Sequence, residues 1–504
     1  MPAIVRPGLF LASLLVSVFA SLSGCIASGG IAPQAELADD GELPTDAAIR
    51  HAAQSAAWPR AQWWQAYGDA QLNAWVERAL AGSPGLAMAA ARVRRAQALA
   101  GIAAAAQAPQ LGLDASVQRK RWPDDNFYGP GPLARTSSWN NTAAFGLSYD
   151  LDLWGRLRSQ REQALSQARV ASTEARAAAL ELQGRGVRAY IQLARQYAEL
   201  DIARAELEQR EELLALAVER RRIGLGTELE VSTAEAPLPE AHRQLDLAHE
   251  AIALTRNQLA ALAGAGPGAA AELQRPQLAL HVAPRLPSRL PLELLGRRPD
   301  VVAGRWQVAA AARGIEVAKA DFYPNIDLLG SLGSAATQGG VLDFLRYDKL
   351  TYGLGPALSL PIFDGGARRS RLGAETAGYD LAVEQYKQTL VQALRGVSDL
   401  LIRLHSLHEQ QGFVASARAT AERRYRLAQE AHERGLSDAR ELLEAQSLVF
   451  AQRRLQQQVL AGQLGAQAEL WVALGGGVLG ADSAPADADL QAREVRLQLP
   501  GLAP

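Results

Sequence analysis

The sequence predicts a mainly α-helical chain with a small membrane β part, and three observations support this fold class. Two very long stretches, at about 155–222 and 366–434, contain no proline and can continue as helices. Four short segments instead alternate apolar and polar residues, which is typical of strands. The same order of elements occurs twice in the chain, with an offset of about 210 residues.

The second of these copies repeats the first segment by segment. QLGLDASV follows Pro109, and NIDLLGSL follows Pro324. The corresponding segments are 110–117 with 325–332, 144–159 with 351–370, and 190–236 with 425–446. Because three correspondences occur in the same order, the sequence predicts an internal tandem repeat.

The alternating segments predict four strands, two in each copy. They lie near 110–119, 142–152, 325–334 and 351–361. Each segment has the length of a tilted strand that crosses a bilayer, although a small soluble sheet packed on helices is the alternative. Four strands cannot close a barrel, and open edges are not tolerated in lipid, so membrane strands would have to be pooled between subunits. Three subunits would give twelve strands, but the arithmetic also permits other numbers.

The proline-free stretches predict helices that reach on the order of 100 Å and need coiled-coil neighbours. Each stretch ends at a glycine turn, which begins at Gly224 in the first copy and at Gly435 in the second. Thr227 and Ser437 are candidate N-caps for the returning helices. Prolines at both ends of 237–239 predict a kink or a break in the first returning helix.

The N-terminus has the features of a secretory leader that ends at the single cysteine of the chain. An apolar run at 9–22 follows Arg6 and leads into Leu22-Ser23-Gly24-Cys25. This pattern resembles the bacterial lipoprotein box, in which the cysteine is acylated. A short transmembrane anchor with an incidental cysteine is the alternative, but a run of about 14 residues is too short to span comfortably. Ile26, rather than an Asp, follows the cysteine and favours the outer membrane.

The composition and the remaining motifs exclude several functions. A net charge of −1 gives no electrostatic basis for binding nucleic acid. No nucleophile elbow, phosphate loop or cysteine pair is present, so we predict no enzyme. His405 and His408 are interpreted as a polar helix face, and no metal site is predicted. The glycines at 475–477 are interpreted as a helix stop. Trp63 and Trp64 could mark a membrane interface, but the family resemblance described next favours packing residues.

Three further segments carry a family resemblance. They are WWQAYGDAQLNAWVERAL at 63–80, LLGRRPDVVAGRWQVAAAARGIEVAKADFYPNIDL at 294–328 and LWVALGGGV at 470–478. Together they resemble the TolC-like outer-membrane factor family in its outer-membrane efflux lipoprotein branch. The resemblance runs from about residue 58 to residue 477. The division that it suggests is a signal peptide (1–24), a lipidated linker (25–57), a first repeat (58–262), an equatorial connector (263–293), a second repeat (294–477) and a C-terminal tail (478–504).

The resemblance implies a homotrimer in which twelve strands form one outer-membrane barrel, continuous with a long α-helical barrel in the periplasm. Such a protein is a passive, gated conduit of a tripartite efflux system that exports small toxic compounds. The implied partners are a periplasmic adaptor, an inner-membrane pump and outer-membrane lipid, without nucleic acid. We expect a proton-driven pump in preference to an ABC transporter. No cofactor is implied beyond the covalent N-acyl and S-diacylglycerol lipid on Cys25.

The resemblance also assigns roles to the two glycine turns. As periplasmic tips they would contact the adaptor through Arg222, Gly224, Leu225, Gly226, Arg434, Gly435, Leu436 and Ser437. Glu441 and Glu444 lie three residues apart on one helix face and would form acidic rings that select cations at the entrance. Arg440 and Glu230 would form an ion pair that helps to hold this gate shut. A plain helix hairpin and a solvated acidic helix face are the alternatives.

Two other functions remain open from the sequence. The same conduit could serve type I protein secretion, which the neighbouring genes would reveal. A lipid-anchored periplasmic scaffold without a pore is the second alternative, and it predicts a monomer or dimer that does not conduct ions across lipid bilayers. The sequence does not define the exported substrate.

Overall fold

The computed structural model describes most of the two predicted repeats. The described residues are 29–37, 58–123, 133, 135–279, 297–478, 484–485, 489–491 and 493 of the 504-residue chain. The predicted signal peptide and the candidate lipidation site Cys25 lie outside them, as do parts of the linker, the connector and the tail.

The described residues contain eight α-helices. They are α1 (Ala70–Gly82), α2 (Pro84–Ala105), α3 (Arg156–Arg222), α4 (Glu228–Glu235), α5 (Leu238–Leu262), α6 (Pro299–Ala320), α7 (Ala367–Glu433) and α8 (Ala439–Ala473). Short 3₁₀ turns occupy Trp63–Tyr67, Pro267–Ala270, Asp343–Leu345 and Tyr347–Lys349. None of the described helices combines the length and the apolar character needed to cross a bilayer.

Helices α3 and α7 confirm the two long helices predicted from the sequence. Each contains 67 residues, which corresponds to about 100 Å. Both follow a glycine in the left-handed region, Gly155 at φ 72° and Gly366 at φ 90°. Helix α3 packs on α2, α5, α6 and α8, and α7 packs on α6 and α8, so neither long helix stands alone.

The returning helix of the first copy is broken at Pro237, as predicted. Helix α4 ends at Glu235, and α5 begins at Leu238 with Pro237 as its N-cap residue. Proline lacks an N–H group and therefore cannot continue the hydrogen-bond pattern of α4. The second copy has no proline at the corresponding place, and α8 is continuous over 35 residues.

The four predicted strands are present and form one antiparallel sheet in the order β1-β2-β3-β4. They are β1 (Gln110–Arg121), β2 (Ser137–Asp150), β3 (Asn325–Ala336) and β4 (Leu350–Ser359). Strand β2 begins five residues before the predicted 142, because Ser137 pairs with Arg121 and Trp139 pairs with Arg119. The backbone ladder therefore extends beyond the alternating apolar residues from which the strand was predicted.

In one hydrophobic core, the block at 63–80 packs against the middle of α3. Trp63, Trp64 and Tyr67 are buried in it, which confirms that the tryptophans are packing residues. The Tyr67 hydroxyl donates a hydrogen bond of 2.7 Å to the carbonyl of Leu464 in α8. The three glycines at 475–477 all have positive φ and follow Leu474, the C-cap residue of α8, which confirms the predicted helix stop.

Asp69 connects this core to distant parts of the chain. Its buried carboxylate caps α1 by accepting hydrogen bonds from the backbone N–H groups of Gln71 and Leu72. It also accepts hydrogen bonds from the Tyr190 hydroxyl at 3.0 Å and from the Gln277 N–H at 2.8 Å. Burial raises the pKa of Tyr190, and the nearby Asp69 carboxylate adds to this rise. One side chain thus joins α1, α3 and the segment that follows α5.

A second core lies between α6 and α7, and both terminal segments pack on it. Ile31 and Leu37 contact it from the N-terminal side, and Leu490 is buried in it from the C-terminal side. The hydrophobic contacts explain why residues so far from the long helices in sequence lie beside them in the fold.

Next to the second core, Arg313 of α6 is the centre of a buried ionic network. Its side chain is only 4% exposed and contacts the carboxylates of Glu162, Glu316 and Asp489. Glu316 also accepts hydrogen bonds from the Ser159 hydroxyl at 3.0 Å and from the backbone N–H of Arg493 at 2.6 Å. The network joins α3, α6 and the C-terminal segment.

Candidate functional site: the channel wall and its helical tips

The two faces of the sheet differ in chemistry. One cross-strand row consists of Leu113, Phe145, Leu332 and Tyr352, which are paired in register across all four strands. Each of these side chains is at least 50% exposed in the protomer. A continuous exposed apolar face of this kind requires a partner surface or a lipid environment.

The opposite face carries small and polar residues. Gly112, Gly146, Ser331 and Gly353 form the row next to the apolar one. The Ser116 and Thr142 hydroxyls lie 2.9 Å apart on this same face. Because side chains alternate between the faces of a strand, one face suits hydrocarbon and the other suits water.

The edges of the sheet are unpaired within the protomer. Strands β1 and β4 each pair with only one neighbour, so each leaves a row of backbone groups without a strand partner. In lipid these groups must be satisfied by another strand. In a membrane, the sheet of one protomer therefore cannot form a closed barrel by itself. Strands from further copies of the chain must complete it.

Each long helix is joined to the sheet by a carboxylate cap. Asp152 accepts hydrogen bonds from the N–H groups of Leu157 and Arg158 at 2.8 and 2.9 Å. Asp364 accepts from the N–H of Arg368 at 3.1 Å and from its guanidinium at 2.7 Å. The hydrogen bonds from Arg368 hold the pKa of Asp364 below its usual value. Both caps fix the direction in which a long helix leaves the sheet.

The far ends of the long helices form two equivalent turns. Gly224 and Gly435 have φ angles of 78° and 71°. The N–H of Leu225 bonds to the carbonyl of Arg220, and the N–H of Leu436 bonds to that of Ala431, each at 2.8 Å. This is the Schellman arrangement, in which a left-handed residue reverses the chain after a helix. The glycine turns predicted from the sequence are therefore present.

The caps of the returning helices match one prediction and correct the other. Thr227 accepts a hydrogen bond from the N–H of Glu230 at 3.2 Å, as predicted. In the second turn, Asp438 accepts from the N–H of Glu441 at 3.1 Å, so the prediction of Ser437 as the cap was wrong. An N-cap side chain accepts from the N–H group two or three positions later, and Asp438 rather than Ser437 corresponds to Thr227 in the repeat.

The acidic residues proposed for the gate lie at the starts of α4 and α8. Glu230, Glu441 and Glu444 are all exposed in the protomer. Arg440 contacts Glu444 at 3.3 Å within α8 of the protomer. Residues four apart on a helix are neighbours, whereas Glu230 lies on a different hairpin. One carboxylate of the predicted acidic pair is therefore next to a cation.

The residues predicted to contact an adaptor lie at the ends of the two hairpins. Leu225 and Leu436 are 68% and 78% exposed. Arg222 contacts Glu219 at 2.5 Å, and this hydrogen bond lowers the pKa of Glu219. Gly226 directly precedes the Thr227 cap, whereas Arg434 is the C-cap residue of α7. Each tip therefore presents an exposed leucine beside arginine side chains.

The N-terminal linker lies along the start of α7. Asp380 accepts hydrogen bonds from the N–H groups of Gln34 and Ala35, both at 2.9 Å. Arg369, two residues after the start of α7, donates to the carbonyl of Gly29 at 3.4 Å. The linker therefore reaches the junction between the sheet and the helices.

The described residues contain no group of three or more His, Cys, Asp or Glu side chains placed to hold a metal ion. His405 and His408 lie within α7. Two histidines without a further ligand do not complete a tetrahedral site.

Comparison with known proteins shows which family has this combination of a four-stranded sheet and long helical hairpins. The family model described as "outer membrane efflux protein" matches residues 75–265 and 290–476, one match for each copy of the repeat. The chain belongs to the outer membrane efflux protein family. The identification covers most of the described structure.

Two relatives of this efflux protein are named for resistance. It is 48% identical to the fusaric acid resistance protein FusA of Burkholderia cepacia over 370 residues, which are 73% of this chain and 69% of that one. It is 30% identical to the multidrug resistance outer membrane protein MdtP of Shigella flexneri over 461 residues, which are 88% of this chain and 90% of that one.

Solved structures of outer-membrane channels share the fold. The outer membrane protein VceC of Vibrio cholerae matches with a TM-score of 0.78 and 33% identity, covering 84% of this chain and all of that one. The outer-membrane channel OprN matches with a TM-score of 0.75 and 27% identity, covering 89% of this chain and 97% of that one.

The family membership establishes how this efflux protein is used. It is an efflux channel of the outer membrane and not an enzyme, and its helices extend into the periplasm. Channels of this family are trimers that work with adaptor proteins and inner-membrane pumps. With four strands from each of three protomers, the sheets close one barrel of twelve strands. The apolar row thus faces lipid and the glycine row faces the lumen.

Sequence reasoning missed several residues that hold the efflux channel in shape. Asp152 and Asp364 cap the long helices, and a local signal was present, because each precedes a glycine and an arginine. Asp69 and Arg313 also have partners nearby in sequence, but no local pattern indicates their contacts with Tyr190 and Glu162, which are more than 100 residues away.

Proposed function

We propose that this efflux channel is the exit duct of a tripartite, proton-driven pump whose substrates are small aromatic carboxylic acids of the fusaric acid type. The 48% identity to the fusaric acid resistance protein supports this proposal, because it is well above the 30% identity to the multidrug resistance protein. The fusaric acid resistance protein and the multidrug resistance protein are both named for resistance to small molecules. Their names favour efflux of small molecules over the type I protein secretion alternative.

Loss of the gene is the experiment that tests this substrate class. The deletion strain and a strain that carries a restored copy are compared on fusaric acid, on related pyridine carboxylic acids, and on dyes, antibiotics and metal ions. We expect susceptibility to the aromatic acids to rise and to return to normal with the restored copy. Unchanged susceptibility to those acids, with loss of a secreted protein or of resistance to unrelated compounds, would contradict the proposal.

We infer that Glu441 and Glu444 line a gate at the periplasmic entrance. Both carboxylates are exposed at the start of α8, beside a turn that is the extreme end of its hairpin. The family's threefold assembly turns each such residue into a ring of three, and rings of carboxylates attract cations. Arg440 next to Glu444 reduces the charge of one ring. An exposed pair of this kind contributes only about 0–1 kcal/mol, so a latch through Arg440 and Glu230 would have to act as a network across the trimer.

Replacing Glu441 and Glu444 by alanine is expected to lower the cation selectivity of the channel severalfold and to change its conductance. The purified trimer is measured in planar lipid bilayers under a salt gradient. Glu208→Ala with Glu211→Ala is the matched control, because it also removes two exposed carboxylates that lie three residues apart, but within α3. Equal currents and selectivity in the gate variant and the wild type would remove the gate assignment.

We propose that the two tips bind the periplasmic adaptor. The contact residues are Arg222, Gly224, Leu225 and Gly226 in the first turn and Arg434, Gly435, Leu436 and Ser437 in the second. The exposed leucines supply apolar area that is otherwise solvated, and exposed apolar groups beside polar ones are typical of protein interfaces. The two turns share one backbone geometry, so a trimer presents six similar contact points.

We propose that Cys25 carries the lipid anchor of the mature chain, with 1–24 as the signal peptide. The position of the linker supports this proposal, because Gly29 contacts Arg369 near the sheet–helix junction. A chain of four residues spans at most about 14 Å, so an anchor four residues before Gly29 is within reach of the membrane. The intact mass of the purified chain is expected to exceed that of the polypeptide by one diacylglycerol and one acyl chain. Cys25→Ser is expected to remove this excess.

A further inference from the structure

The end of the sheet that lies away from the helices is rich in cations. Helix α2 leads into β1 at Gln110, and α3 leaves β2 after Asp150, so the opposite end of the sheet is the extracellular one. The described residues of that end are 117–123, 133, 135–141 and 333–351. They include six Lys or Arg residues and the carboxylates Asp343 and Asp348, and the sequence adds Asp124 and Asp125 between residues 123 and 133, which still leaves more cations than carboxylates. This excess of positive charge attracts anions.

Arg119 and Arg121 lie on the lipid-facing side of this end. In β1 they continue the alternation that places Leu113 and Val117 on the apolar face, whereas Lys120 lies on the opposite face. The register pairs Arg119 with Trp139 of β2, and the guanidinium carbon lies 5.5 Å from the centre of the indole ring. Tryptophans at this level are typical of the boundary between hydrocarbon and headgroups. The ring thus holds the Arg119 side chain at the membrane surface.

The surroundings leave both guanidinium groups accessible. Arg119 and Arg121 are exposed, and none of the described carboxylates forms an ion pair with either of them. By contrast, Arg346 and Lys349 share Asp348 at 3.4 Å each. Strand β4 begins directly after these two residues and forms the other edge of the sheet. Closure of the barrel therefore brings a second cationic segment beside β1 of the next protomer.

We propose that Arg119 and Arg121 bind the phosphate groups of the bisphosphorylated glycolipid, lipid A, that forms the outer leaflet of the outer membrane. A guanidinium group presents paired N–H donors that match phosphate oxygens. The Leu113 and Val117 side chains below the two arginines lie beside the acyl chains of the same lipid. Arg346 and Lys349 of the neighbouring protomer lie beside β1 in the closed barrel and supply positive charge for the second phosphate.

Lipid A and an anionic cargo molecule would meet opposite faces of β1. A cargo molecule leaves along the inner face, where Lys120 lies, and does not meet the outward side chains of Arg119 and Arg121. The site depends on the established outer-membrane position of the sheet and not on the proposed substrate. Its failure would therefore be separate from failure of the substrate proposal.

The test measures binding of lipid A to the purified trimer by native mass spectrometry. The wild type is expected to bind bisphosphorylated lipid A more tightly than monophosphorylated lipid A, and both more tightly than phosphatidylethanolamine. Arg119→Gln with Arg121→Gln is expected to weaken binding of bisphosphorylated lipid A about tenfold or more, because two charge-assisted contacts are lost. The single variants give smaller losses and serve if the double variant fails to form trimers.

Lys120→Gln is the matched control, because it removes one positive charge from the same strand on the opposite face. It is expected to leave lipid A binding close to that of the wild type. A loss in Lys120→Gln as large as in Arg119→Gln would show that net charge, and not a site, attracts the lipid. A wild type without preference for lipid A over phosphatidylethanolamine would overturn the proposal.

Discussion

Replacing Arg313 by alanine is expected to destabilise the protomer by about 3–5 kcal/mol, the cost of breaking a buried ionic network from one side. The side chain is 4% exposed and contacts three carboxylates, of which Glu316 is itself 7% exposed. Alanine would leave the Glu316 carboxylate buried without its cation. The expected readouts are a lower denaturation temperature of the purified trimer and a lower yield of trimer in membranes.

Two further variants separate the buried network from general loss of charge. Arg395→Ala removes an arginine that is 79% exposed and pairs with an exposed Asp399, and it is expected to cost about 1 kcal/mol or less. Arg313→Ala combined with Glu316→Gln is expected to be less harmful than Arg313→Ala alone, since no charge is then left buried at position 316. If the Arg313→Ala trimer had the same denaturation temperature as the Arg395→Ala trimer, this account of the network would be refuted.

Replacing Gly333 by alanine is expected to weaken the pairing of β2 with β3 and to reduce the assembly of the trimer. A Cβ atom at this position would lie 2.4 Å from the carbonyl oxygen of Ala143 and 2.5 Å from the Cα of Ala144. Both are backbone atoms of the paired strand β2, which cannot move without breaking the β2–β3 ladder. Overpacking typically costs about 1–3 kcal/mol, which lowers the equilibrium constant for assembly by roughly fivefold to more than a hundredfold. The amount of heat-resistant trimer on gel electrophoresis of membrane extracts measures the loss of assembly.

Gly146→Ala provides the comparison within the same sheet and on the same face. A Cβ atom at Gly146 would have no neighbour within 4 Å. We therefore expect Gly146→Ala to assemble like the wild type. Normal amounts of Gly333→Ala trimer would contradict the prediction. They would mean that the paired strands tolerate a side chain at position 333.

The elements of this fold were predictable wherever their signals are local. Proline-free stretches predicted α3 and α7, and each of these helices was found at almost the predicted boundaries. Gly224 and Gly435 marked the turns because a left-handed residue after a helix favours glycine. Alternation of apolar residues predicted the four strands, but the polar ends of β1 and β2 gave no such signal.

The candidate site was predictable in part. The glycine turns and the exposed acids Glu441 and Glu444 were found at the predicted ends of the hairpins. The cap of α8 was placed one residue early, at Ser437 in place of Asp438, because both residue types are good caps. Arg440 has Glu444 as its partner within the helix, and a pairing across hairpins could not be decided without the fold.

The sequence by itself determined the repeat, the long helices, their turns, the strands and the family, since each depends on neighbouring residues or on a local pattern. Only the tertiary structure decided the strand register, the role of Asp69 and the network around Arg313. These features join residues that are far apart in the chain. Their energies come from burial and from geometry between elements, which no local pattern of residues encodes.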